Sequence, residues 1–160
     1  MAHQQLIIKM NFDAWNSHVS RTDKLITSLS DEQLQQETAL GRNTGTYLLG
    51  HLIAVHDAMM PLMGLGEKMY PQLEEIFIKN SDRSGMKKPA IKDLKIYWSE
   101  VHNRLSQQFE KLTADEWFTK HTSVSAEDFE KEPHRNKLNV LISRTNHLAY
   151  HFGQLAYLKK

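Results

Sequence analysis

The chain contains no cysteine, which excludes disulfides, thiolate nucleophiles and Cys-based zinc or iron–sulfur sites. Charge of one sign is missing too. Twenty Lys and Arg stand against nineteen Asp and Glu, a formal net charge of +1. Neither a nucleic-acid partner nor an anionic membrane surface finds its electrostatic footprint in such a balance. No long uninterrupted apolar run exists. The most apolar stretch, Tyr47 to Gly66, carries two histidines, an aspartate and a proline, and reads as a buried helix instead of a membrane span. The N-terminus "MAHQQLIIKMNF" has no basic n-region followed by a long apolar core, so a cytoplasmic protein is expected.

What is abundant is histidine, nine in 160 residues. The length suits one domain with a core of its own, and a single domain over 1–160 is expected. Four segments carry helical periodicity, about 4–29, 46–63, 91–112 and 136–158. The apolar stripes are Leu6, Met10, Ala14, His18, Thr22, Leu25 and Leu29 in the first and Leu48, Leu52, Val55, Met59 and Met63 in the second. In the third they are Leu94, Trp98, Val101, Leu105, Phe109 and Leu112, and in the fourth Leu138, Leu141, Thr145, Leu148, Phe152 and Leu155. No segment alternates with period two, so the class is all-α. Helices of such matched length, about 27–39 Å at 1.5 Å per residue, pack most simply as a four-helix bundle. The connection between the second and third is long and loop-rich, with a short helix expected at "QLEEIFIK". "LSDEQL" and "LTADEW" carry capping-box spacing at Ser30/Gln33 and Thr113/Glu116, each marking a short helix start. "HTSVSAEDFEKEPHRN" reads as a polar connection.

His147 and His151 stand four apart and so share a helix face, where two imidazoles can reach one cation. Random placement of nine histidines yields about 0.5 such pairs, so the spacing alone is weak. Position 148 is Leu, which removes the general base of an HExxH zinc protease. Both histidines lie roughly 110–150° from the centre of their helix's apolar stripe, and His51 about 100° from that of the second helix. They are therefore either solvated or turned to a second contact, whereas His56 falls inside a stripe as a core histidine. Gly50 and Gly153 flank this set at mid-helix, where glycine costs about 1 kcal/mol relative to alanine and invites a reason such as close backbone approach.

"GTYLLGHL", the terminal "HLAYHFGQL" and the spacing between them resemble the DinB-like (DNA-damage-inducible) superfamily of metal-binding four-helix bundles, and the resemblance spans essentially the whole chain. It implies a divalent metal, zinc or nickel first among the choices, held by His51, His147 and His151 near one end of the bundle. Three protein ligands leave positions open for water or substrate. The resemblance further implies a metal-dependent enzyme, S-transferase-like with a low-molecular-weight thiol cosubstrate or hydrolytic, acting on a small molecule, often as a homodimer. The alternative is a non-enzymatic metal- or ligand-binding protein of a stress response. No residue identifies a catalytic acid, base or nucleophile. Tyr47 and Gln154 are candidate pocket groups, though each also reads as an ordinary polar residue at a helix edge. Arg42 and Asn43 could meet an anionic substrate group, Asp57 is a remote candidate for an extra ligand, and Trp15, Trp98 and Trp117 read as core or interface aromatics.

Overall fold

A computed structural model describes residues 3–159. Its helices are α1 (His3–Ser28), α2 (Asp31–Leu34), α3 (Gly45–Asp57), α4 (Met59–Leu62), α5 (Ile91–Phe109), α6 (Ala114–Trp117), α7 (Ala126–Lys131) and α8 (Lys137–Ala156), with one π-helical turn at Glu75–Lys79. There is no strand among the described residues, only isolated bridges at Glu37–Thr44 and Lys120–Asn136. No described helix is long and apolar enough to cross a membrane.

The four long helices form a bundle in which α1 lies beside α8, α8 beside α3, α3 beside α5 and α5 beside α1. Leu158 lies against Gly45, Lys95 Nζ reaches the Leu29 carbonyl, and the Arg21 guanidinium sits 4.8 Å over the Phe152 ring. These contacts gather the C-terminal ends of α1 and α8 with the N-terminal ends of α3 and α5. At the opposite end, Phe12 and Trp15 of α1 pack on Phe109 of α5. The pair α1 and α8 therefore runs one way and α3 and α5 the other. Joining two parallel neighbours, α3 and α5, requires a connection as long as the bundle, which is the expected long crossover.

Both capping boxes form. Ser30 Oγ accepts from Gln33 N while Ser30 N donates to Gln33 Oε1, and Thr113 and Glu116 do the same. Each satisfies two amides that the helix start leaves free. The second predicted helix is shorter than its periodicity because of Pro61. Proline has no N–H to offer the carbonyl four residues back and its ring crowds that carbonyl, here Asp57, and α3 ends at that residue before α4 restarts. The segment read as a polar connection contains α7, started by Ser125 accepting from Asp128 N.

α3 is buried almost all round, as befits a central helix. In α1 the predicted stripe fails in its first half: Leu6 and Met10 are 47% and 62% exposed. The packed face is instead Ile8, Phe12, Trp15, Val19, Thr22 and Ile26, two residues displaced at the start and meeting the predicted stripe at Thr22. All three tryptophans belong to the core, 3%, 1% and 3% exposed in chain order, and none faces outward.

Candidate metal centre

His51 comes from α3, about two turns past the Thr44 cap, and His147 and His151 from the facing side of α8. The helices bring their imidazoles together, partly buried, toward the end where α8 finishes. His147 Nε2 is 3.2 Å from His51 Nε2 and 3.0 Å from His151 Nε2, and one ligand atom from each residue falls within 4.8 Å of the others.

His51 Nδ1 is 2.8 Å from the Phe77 carbonyl, which can only accept, so Nδ1 carries the proton and Nε2 a lone pair. His151 Nδ1 is 2.6 Å from Gln154 Oε1, and the Gln154 amide nitrogen is turned 3.3 Å toward the Tyr150 hydroxyl. His151 thus also presents a bare Nε2. His147 lies between them with a single ring proton in its neutral form, enough to satisfy one neighbour and not both. Its Nδ1 is buried without a partner. Protonating the cluster further is opposed. Burial, then the neighbouring His151, His51 and Arg144, pull His147 down to about 4, and burial also lowers His151.

Three converging imidazole nitrogens short of protons are a group that could hold a cation. Metal–nitrogen bonds of about 2.0–2.1 Å at tetrahedral or octahedral angles separate the nitrogens by about 2.8–3.4 Å, the spacing of His147 Nε2 from both His51 and His151, and the whole group lies within 4.8 Å. Imidazole donors suit zinc, nickel, copper or iron more than magnesium or calcium. The carbonyl of Phe77 and the amide of Gln154 are the outer partners that metal-bound histidines use to hold ring orientation.

Phe77 reaches this position because of Gly50. A Cβ at residue 50 would stand 2.6 Å from Phe77 Cδ1, with Cε1 and Cζ closer still, so only glycine lets the π-helical turn press on α3. Tyr47 fastens the same turn, its hydroxyl donating to the carbonyls of Asn80 at 2.7 Å and Phe77 at 3.2 Å. Asp82, ion-paired with Lys88, accepts from Thr44 N at 2.7 Å. The crossover is thus bound over the histidines by the first turn of α3. Gly153 has no such reason, since a Cβ there would meet nothing within 4 Å.

Other candidates fall elsewhere. Asp57, 1% exposed, accepts from Met69 N and Tyr70 N at 2.9 and 2.8 Å, so it anchors the loop after α4 and is no part of the histidine cluster. Arg42 and Asn43 lie exposed in their loop. His56 is a core histidine as expected, but the sequence did not reveal its partner. His102 Nδ1 donates to the Trp98 carbonyl at 2.7 Å, and its Nε2 accepts from His56 Nδ1 at 2.9 Å. The available signal was position: His102 lies one turn beyond Trp98, beside the third stripe. Burial holds His56 far below the ordinary imidazole range and His102 at about 4, so the pair stays neutral.

An all-α bundle with crossed parallel pairs and an imidazole cluster between two of its helices defines a class of histidine-site helical proteins. The chain belongs to the DinB superfamily, whose model matches residues 14–155. None of the curated proteins compared with the chain matches it.

Proposed function

We propose that this DinB-superfamily chain is a metal-dependent enzyme in which His51, His147 and His151 hold one divalent transition ion, zinc or nickel. The observation that carries the proposal is the convergence of three Nε2 atoms, two of them bare because Phe77 and Gln154 take the Nδ1 protons. A bound ion would lower the pKa of a coordinated water or of a low-molecular-weight thiol. The three histidines supply neutral ligands, leave coordination positions open and, through their outer hydrogen bonds, fix the imidazole planes. Thiol transfer to a small electrophile is the favoured reaction and hydrolysis the second.

The ring cluster includes no carboxylate, and that feature favours the other reading, a bundle that binds metal or a ligand without turnover. A single domain, a cytoplasmic setting and a homodimer belong to the same proposal. Leu6, Ile7 and Met10 on the outward side of α1 support the dimer, which sedimentation of the purified chain tests.

Elemental analysis of untagged protein beside His147→Ala tests the site, with about one ion per chain expected and its loss in the variant. Turnover of an electrophile with a cellular thiol, abolished by chelator, establishes the enzyme. Metal without turnover across thiol and hydrolytic substrates leaves the binding protein, and no metal at all refutes the metal site and leaves only the ligand-binding reading.

A further inference from the structure

A second site opens on the side of α8 that precedes the histidines. A cavity of about 250 Å³ is lined by Leu62, His121, Asn139, Val140, Ser143 and Arg144. Its walls are tied together: Thr122 N donates to the Leu62 carbonyl at 2.9 Å, Thr122 Oγ1 to the Pro61 carbonyl at 3.1 Å, and Lys137 N to the Thr119 carbonyl at 3.0 Å. The segment carrying His121 is therefore clipped between α4 and the start of α8.

The lining is rich in donors and holds no carboxylate. Two of its donor-type atoms, Arg144 Nε and His121 Nδ1, are buried with no hydrogen-bond partner. Arg144 is half-buried, and its shielded Nε–H without an acceptor costs more than one left in water. Arg144 pairs with no acid among the described residues. The other cations near His121 are already engaged: Arg135 pairs with Glu132 at 3.0 Å, and Lys120 Nζ donates to the Val124 carbonyl at 2.9 Å. Burial, then the positive potential of Arg135 and Lys120, depresses the His121 imidazole. The cavity is thus a positive, donor-lined recess with one uncompensated guanidinium and no acid of its own.

We propose that this recess is a subsite for a small oxyanion, a carboxylate or a phosphate, held by the Arg144 guanidinium with His121, Ser143 and Asn139 as further donors. Leu62 and Val140 accommodate a short apolar stem. Arg144 lies one turn before His147 on α8, so an acid bound here would sit beside the histidine cluster without using it. The assignment is independent of whether an ion occupies that cluster.

The test titrates the full chain with inorganic phosphate, acetate and, at matched ionic strength, chloride, reading the Arg144 Nε–H and His121 ring signals by proton–nitrogen correlation NMR. Saturable shifts with phosphate or acetate are expected, weakened tenfold or more in Arg144→Gln and in His121→Gln, and absent with chloride. Tighter saturation by one anion assigns the class, phosphate or carboxylate. The same titration on His51→Ala separates this subsite from anion binding at a metal: persistence supports the proposal, and loss overturns it. Linear shifts of equal size in native protein and both variants overturn it as well. Arg144→Gln removes an unpaired, half-buried charge and leaves the core untouched, so the comparison is made on folded protein.

Discussion

Replacing each mid-helix glycine with alanine separates backbone propensity from close packing. On propensity alone both Gly50→Ala and Gly153→Ala gain up to about 1 kcal/mol. At residue 153 nothing lies within 4 Å of the new methyl, so the gain is expected in full. At residue 50 the methyl overlaps the Phe77 ring, 2.6 Å from Cδ1 with two further ring atoms nearer. Phe77 is fully buried and has no space to retreat into, and overpacking of this kind costs about 1–3 kcal/mol. The two variants should therefore differ by about 1–3 kcal/mol in urea denaturation, with Gly153→Ala the more stable and native protein between them or close to Gly50→Ala. A second readout follows, because the displaced residue carries the carbonyl that orients His51. Zinc competition against a chromogenic chelator should show weaker binding by Gly50→Ala, about tenfold or more, and no change for Gly153→Ala. Equal stabilisation of the two variants would refute the packing argument. A destabilised Gly50→Ala that binds zinc at native strength would refute the link from Phe77 to His51.

Gln154→Ala removes the acceptor from His151 Nδ1 and should weaken zinc affinity about 10- to 100-fold, while thermal unfolding without metal stays near native. Asp57→Ala strips two loop amides of their buried acceptor, and a loss of about 2–4 kcal/mol is expected in chemical denaturation. His102, held at about 4 in the fold against an ordinary value of 6.5, binds fewer protons folded than unfolded. The metal-free protein should therefore lose stability progressively as pH falls from about 6.5 toward 4, and the loss should be shallower in His102→Gln. A pH-independent urea midpoint over that range would remove the neutral buried pair from the account.

Much of the site could be read in the chain because it is built from side chains at helical spacing. His147 and His151 are one turn apart on any helix, and His51 stood off its apolar stripe for a reason the bundle supplies. The outer partners were harder. Gln154 was visible as a neighbour of His151, but its reading as an edge residue concealed that it orients the ring. Phe77 acts through its carbonyl, and backbone groups leave no mark in a residue pattern. Gly50 was the indirect signal, a costly residue whose cost only the Phe77 ring explains. In α1, Leu6, Met10 and Ala14 compete with Ile8, Phe12 and Trp15 as apolar stripes, and periodicity cannot rank them. The large aromatic side chains decide it, since they bury more surface in the bundle. Pro61 held the break in the second helix in plain view, through its missing N–H.

The crossover pressed onto α3 also determines how an ion would act on the chain as a whole. The histidines that meet above it are separated by 96 residues in sequence, so one bound ion ties α8 to α3 across most of the polypeptide. A cross-link closing a loop of that span removes about 4–5 kcal/mol of entropy from the unfolded chain on the relation used for disulfides. A protein without cysteine can thus carry a staple that acid or a chelator opens and that no reductant reaches.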